Sequence, residues 1–266
     1  MIEAAKQAAL AAAEILIRHF KKLPEEAVRK KLKNDFLSFV DESSEKTIIA
    51  ILLKHYPDHS ILAEEGGVQK ADSEYRWIID PLDGTTNYIA GLPIFCISIA
   101  LQKNEEIILG LIYDPIHDEM FHAEKGKGTF LNDSPIHVSS KASLSESFIA
   151  TGFPFKAKHF LSDYQKIFAG LFKECIGIRR MGSAAIDLAY LAAGRFDGFW
   201  EIGLNPWDVA AGSLIVQEAG GKVTDFWGSN NFINNNYLLA SNNLIHKEME
   251  KIIREVIPRY RIVYNK

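Results

Sequence analysis

Apolar positions along the chain keep two rhythms, one of 3.6 residues and one of two. In "MIEAAKQAALAAAEILIRHF" the Ala and Leu/Ile positions are interrupted by Glu3, Lys6, Glu14 and Arg18. That predicts an amphipathic helix, not a signal peptide or membrane span. After a basic stretch, "KKLPEEAVRKKLKND", the segment "DESSEKTIIAILLKHYP" sets Ile48, Ile49, Leu52, Leu53 and Tyr56 at helical spacing and stops at Pro57. "SILAEEGG" and "YRWIIDP" read as strands that end in acids. "GLPIFCISIALQKNEEIILGLIYDP" reads as two strands around a turn at Lys103 to Glu106, and "EMFHAEKGKGTFLND" as a further hairpin.

Beyond the Ser-rich segment "VSSKASLSESF" (138 to 148) the pattern alternates. Strand "SFIATGF", a helix near 159 to 174, strand "GIRRM", helix "SAAIDLAYLAAG" and strand "RFDGFWEIG" follow in turn. Helix "PWDVAAGSLIVQEAGG", strands "KVTDFWG" and "NYLLASN", and a helix from about 243 to 256 complete it. The first half therefore reads as α+β with antiparallel strands and the second as α/β. The expected domains are 1–142 and 143–266, with no internal repeat.

Composition narrows the function classes. Hydrophobic residues make up 47% and charged residues 24% of the 266, as in a soluble globular protein. A net charge of -4 gives no electrostatic reason to expect nucleic-acid binding. An anionic substrate would need local help, from metal ions or a few placed basic groups. Cys96 and Cys175 form no CxxC pair and are expected to be buried and reduced, as in a cytoplasmic protein.

Four acidic clusters stand where apolar segments stop: Asp41, Glu64 with Glu65, Asp80 with Asp83, and Asp208. Carboxylates are the side chains that hold Mg²⁺, together with phosphate and water. In "IIDPLDGTT", Pro81 stiffens the backbone between two acids, the Leu82 carbonyl can face the same point, and Gly84 permits a sharp turn. Thr85 and Thr86 begin a short helix whose free N–H groups favour an anion. Each acid also has a plainer reading. Pro-x-Asp-Gly is a common tight turn. Asp208 suits the first turn of a helix capped by Asn205 and begun by Pro206. Glu64 and Glu65 can be solvated loop acids, and Asp41 a helix N-terminal acid. Four chain-distant acids at element ends are harder to explain that way together.

"AEEGG", "WIIDPLDGTTNYIAGLPIF" and "GLNPWDVAAGSLIVQEAGG", with "RRMGSAAIDLAYLAAGRFDGFWEIGLNPWD" between, resemble the signatures of the inositol monophosphatase family, particularly its bacterial members. The resemblance covers the chain from about Lys33 to Gly221. It implies the layered αβαβα sandwich of Mg²⁺-dependent, lithium-sensitive sugar phosphatases, two or three Mg²⁺ per site, and a homodimer. By it Glu64, Asp80 and the Leu82 carbonyl match the ligands of a first Mg²⁺. Asp80, Asp83 and Asp208 match those of a second, and Glu64 adjoins a third. Gly84 and Thr85 match the amides that hold phosphate, and Asp41 with Thr85 a dyad that orients water, with Glu64 beside them among the catalytic residues. Ser183, Ala184 and Glu201 match positions that meet the sugar or inositol ring, with Arg179 a further candidate. The substrate is thus expected to meet Glu64, Leu82, Asp83 and Asp208 as well. Ser38 replaces a threonine of the family pattern, and Asn205 a histidine of animal relatives.

The expected activity is hydrolysis of inositol 1-phosphate, a small phosphorylated polyol. Fructose 1,6-bisphosphate or an adenosine 3′,5′-bisphosphate is the alternative, for which Lys156, Lys158, Arg179 and Arg180 could supply a second basic pocket. A partner-binding regulator on the same fold is the reading from a different class. No membrane or nucleic-acid partner is expected. His55 and His59 straddle Pro57 and make no helical zinc pair. "GKGTF" lacks a dinucleotide fingerprint, and no G-x-S-x-G is present.

Overall fold

Near-continuous apolar runs in the first half produce a sheet whose central strands are buried on both faces. The computed structural model describes residues 1–22, 39–69 and 73–259; most of the basic stretch, and Ser38, lie outside these. Helices α1 (Ile2–His19) and α2 (Phe39–His55) precede strands β1 (Ser60–Ala63), β2 (Gly67–Gln69) and β3 (Tyr75–Asp83). A short helix α3 (Thr85–Ile89) leads to β4 (Cys96–Lys103), β5 (Glu106–Asp114), β6 (Glu119–Glu124), β7 (Thr129–Leu131) and β8 (Ser134–Ile136). These strands form one sheet in the order β2-β1-β3-β4-β5-β6-β7-β8, antiparallel except for the β1–β3 pair.

The second half begins with β9 (Phe148–Thr151), α4 (Leu161–Glu174) and β10 (Gly177–Arg179). Then come α5 (Ala184–Ala192), β11 (Gly198–Ile202), α6 (Pro206–Glu218), β12 (Lys222–Thr224), α7 (Phe232–Asn235), β13 (Tyr237–Ser241) and α8 (His246–Val256). Its sheet runs β10-β9-β11-β13-β12, with parallel pairs at β9 and antiparallel pairs at β13.

Three hydrophobic clusters stack these parts into five layers. Period-two alternation sends Trp77, Ile79, Ile97 and Ile99 to one face of the first sheet, where the alanine stripe of α1 and Ile48 and Leu52 of α2 meet them. Ile78, Ala100 and Ile112 face the other way, onto α5 and α6, which also cover Ala150, Phe199 and Leu238 of the second sheet. The far face of that sheet buries Ile149, Trp200 and Leu239 against α4 and α8. The order is helices, sheet, helices, sheet, helices: the αβαβα sandwich. Close approach inside it is specific. A Cβ on Gly110 of β5 would stand 2.5 Å from the Ala211 carbonyl of α6.

Three expectations change. The last helix starts at His246, not 243, because the Asn242 side chain accepts from Leu244 N and Ile245 N and Asn243 takes φ +74. The helix near 159 begins as a 3₁₀ turn at Lys158–Phe160 before α4 proper. Cys175, at the C-terminal end of α4, is half-buried, whereas Cys96 is buried; both are free thiols. No helix among the described residues is long and apolar enough to cross a membrane.

Candidate active site

The strand β3 carries two acids three positions apart, which in a regular strand would face opposite ways. The pairing with β4 shows why they do not. Asp80 pairs with Ser98 and Asp83 with Cys96, so β3 spends three steps where β4 spends two. One extra residue, at Pro81-Leu82, bulges the strand and returns Asp83 to the face of Asp80. Proline fits here because a bulge leaves an unpaired backbone position. The bulge is braced from α2, whose Ser44 Oγ donates to the Pro81 carbonyl at 3.2 Å. Gly84 then takes φ +97, and a Cβ on it would lie 2.8 Å from the Ile94 carbonyl, so both conformation and space require glycine.

Each strand-end acid has one oxygen fixed by the chain. Asp80 Oδ1 accepts from Leu82 N at 3.0 Å. Asp83 Oδ2 accepts from Ser183 Oγ at 2.6 Å and Ala185 N at 2.7 Å, so the N-terminus of α5 holds an acid from the other half. Ser183 also caps that helix by accepting from Ile186 N. Asp208 belongs to a capping box with Asn205, its Oδ2 accepting from Asn205 N at 2.7 Å. Ser98 Oγ, directly across from Asp80, donates to the Trp207 carbonyl and ties the start of α6 to β4. The helix cap holds Asp208 and at the same time aims it into the cavity, so the two readings do not exclude each other.

These acids line one cavity of about 180 Å³ with Glu64, Leu82, Gly84, Thr85, Ser183, Ala184 and Glu201. Lys156 and Arg180 lie in the same wall, as do Phe153, Phe155 and Asp187. Burial, then Glu64, Asp83 and Asp208, push the Asp80 carboxyl well above the usual carboxylate range. Burial and then Asp83 raise Asp208, while burial raises Asp83 against the hydrogen bonds of Ser183 and Ala185. Glu201 and Asp187 are raised for the same first reason, Glu201 next by Asp208 and Asp83, and Asp187 next by Glu201 and Asp83. Lys156 Nζ stands 4.0 Å from Glu64 Oε1.

No group of three or more His, Cys, Asp or Glu among the described residues is gathered closely enough to make a finished ion cage. Backbone donors position the carboxylates instead, and crowding penalises their charge. A hard divalent cation answers that penalty, and carboxylate oxygens with the Leu82 carbonyl are the donors such an ion takes. The residues present therefore fit a hard divalent cation.

Two expected residues sit elsewhere. Asp41 is buried in the first turn of α2, where it adds to the effect of burial in raising the Tyr88 phenol, and does not line the cavity. Arg179 stacks over Phe148, 4.6 Å from the ring centroid, outside the cavity; the neighbouring Arg180 is the one that enters it. Thr85 Oγ1 donates to the Leu82 carbonyl at 3.0 Å. Asp187 gave no signal in the sequence, where it reads as an ordinary first-turn acid in "SAAIDLAY".

A mixed five-layer fold with acids from four chain regions around one cavity defines a class, the metal-dependent phosphate-ester hydrolases of the inositol monophosphatase type. The inositol monophosphatase family model matches residues 1–258, and the chain belongs to that family. It is 43% identical over 256 residues to Nus factor SuhB of Escherichia coli K12, covering 96% of each. It is 41% identical over 250 residues to an inositol-1-monophosphatase of Mesorhizobium japonicum, covering 94% of each. The solved inositol monophosphatase of Anabaena superposes with a TM-score of 0.86 at 40% identity, covering 97% of each chain. Members of this family are generally metal-dependent.

Proposed function

We propose that this chain is a Mg²⁺-dependent phosphomonoesterase that hydrolyses inositol 1-phosphate to inositol and phosphate. The observation that carries the reading is the convergence of Asp80, Asp83, Glu64 and Asp208 on one cavity bounded by Gly84 and Thr85. Two or three Mg²⁺ held there would neutralise the crowded acids, polarise the phosphoryl group and make water a better nucleophile. Asp80, Asp83, Asp208, Glu64 and the Leu82 carbonyl would hold the ions. The Gly84 and Thr85 amides meet the phosphoryl oxygens. Thr85 orients the attacking water through its hydroxyl, and Asp41 steadies Thr85 from the base of α2. Ser183, Ala184 and Glu201 meet the ring, with Arg180 beside them in the cavity wall. Lithium would inhibit the enzyme by competing for these oxygens. A cytoplasmic homodimer completes the proposal.

A phosphate-release screen over inositol, sugar and nucleotide phosphates, with and without Mg²⁺, tests it. Fastest release from inositol 1-phosphate, lost on chelation, is the expected result; metal-independent release from any ester would overturn it. Bisphosphates form the alternative: of the four basic candidates, Lys156 and Arg180 line the cavity. A second reading, a partner-binding role on the same fold, draws support from the name Nus factor carried by relatives such as the Escherichia coli protein. A pull-down whose partners persist in Asp83→Asn would favour it.

A further inference from the structure

The helix that holds Asp83 at its N-terminus also carries Asp187 into the cavity wall. Asp187 is 1% exposed, and its Oδ1 has no hydrogen-bond partner among the described residues. Glu201 reaches the same wall from β11, into space left by Gly152; any Cβ there would overlap its carboxyl group. Buried carboxyl oxygens rarely stay unpaired, because each forfeits hydration without compensation. A wall with one such oxygen beside a second carboxyl group suits a ligand that brings hydrogen-bond donors.

Arg180 supplies the opposite character. Its guanidinium carbon sits 5.4 Å from the ring centroids of both Phe153 and Phe155, which fixes it at the cavity as a donor. Hydroxyl groups on a ring can donate to the acids and accept from the arginine at once. An aryl or alkyl group would leave the acids unpaired. A second phosphate would meet two carboxyl groups.

We propose that Asp187 is a specificity-determining residue which, beside Glu201, accepts hydrogen bonds from the hydroxyls of a polyol leaving group. This rests on the phosphatase reading and adds to it the residue that selects the leaving group. Asp187→Asn preserves shape while turning half of the acceptor group into a donor. The measurement is kcat/KM with Mg²⁺ for inositol 1-phosphate and for p-nitrophenyl phosphate, in the parent and the variant, together with melting temperatures. The ratio of the two values should fall about tenfold in the variant, carried mainly by KM for the polyol ester. Competition by free inositol should weaken in parallel. Asp187→Leu should move the ratio the same way and further; if it does not fold, the Asn variant decides alone. An unchanged ratio, or equal losses on both esters, would overturn the assignment while leaving the phosphatase reading intact. A parent chain that hydrolyses neither ester would sink that reading and this one with it.

Discussion

Asp80 concentrates the conflict between stability and function at this site. Its carboxyl is 1% exposed and faces three other acids, so burial and repulsion both oppose its charge. Asp80→Asn removes that charge and keeps an oxygen that can still accept from Leu82 N. Activity should fall by about 100-fold or more, the scale of losing one electrostatic contributor to a transition state. Without Mg²⁺ the variant should melt at or above the parent's temperature, because repulsion has been relieved. Added Mg²⁺ should raise its melting temperature less than the parent's. Calorimetric scans with and without the ion read all of this, and a variant less stable than the parent without Mg²⁺ would contradict the assignment. Thr85→Ala separates a different role: turnover should drop more than Mg²⁺ affinity, as steady-state rates over a Mg²⁺ titration would show.

A second residue, far from the cavity, predicts pH dependence. His246 is fully buried. Thr224 Oγ1 donates to the Asp225 carbonyl at 2.7 Å, so it accepts from His246 Nε2–H at 2.9 Å, and Nδ1 accepts from Ser241 Oγ. This is a neutral ring, and burial with Lys222 nearby lowers its pKa to about 4. The unfolded chain therefore takes the proton first as pH falls. The contribution of the neutral ring is complete above about 6.5, declines from there, and is exhausted below about 4, a loss of about 3 kcal/mol. Urea unfolding at pH 7.5 and 4.5 should show a larger loss for the parent than for His246→Gln; equal losses would assign the pH effect to other groups.

Among elements, helix α6 links core packing to chemistry. It starts with the capping box that aims Asp208, and its middle lies against β5 where only Gly110 allows contact. Gly110→Ala should cost about 1–3 kcal/mol, the usual range for overpacking. It should also weaken Mg²⁺ activation, because the shift is passed along α6 to Asp208. Denaturant midpoints and a Mg²⁺ titration measure both; lost stability with unchanged Mg²⁺ dependence would mean that the helix bends locally instead. The strands were legible because "YRWIIDP" and "CISIALQ" are short apolar runs rich in β-branched and aromatic residues, and the Asn205-Pro206-x-Asp208 start of α6 was legible because capping is local chemistry. The bulge at Pro81-Leu82 was not legible, since register depends on the partner strand. The choice between Arg179 and Arg180 was not legible either: one step along a chain reverses a side chain's face, and position along the sequence does not say which face meets the cavity. Asp187 was hidden for a related reason, because burial of a polar residue in an alanine-rich helix shows only once the second sheet covers it.

At the scale of the whole molecule, the proposed division at 142/143 separates two sheets but not two cores. The central cluster takes Ile78, Ala100 and Ile112 from the first sheet and Ala150, Phe199 and Leu238 from the second, with α5 and α6 between them. Neither half can bury its face of that layer alone, and the candidate site spans the same seam, with Asp83 held by Ser183 and Ala185. The connecting segment is itself tied down: Asn242 Nδ2 donates to Ser139 Oγ and to the Lys141 carbonyl. A protease site inserted between Lys141 and Ala142 should therefore cut without releasing fragments, and the nicked protein should keep its activity on gel filtration. Heating it should give one cooperative transition, lower than that of the intact chain because the unfolded halves gain freedom on separating. Two transitions, or fragments that part in native buffer, would show that each half carries a sufficient core and that the seam contributes less than its apolar packing implies.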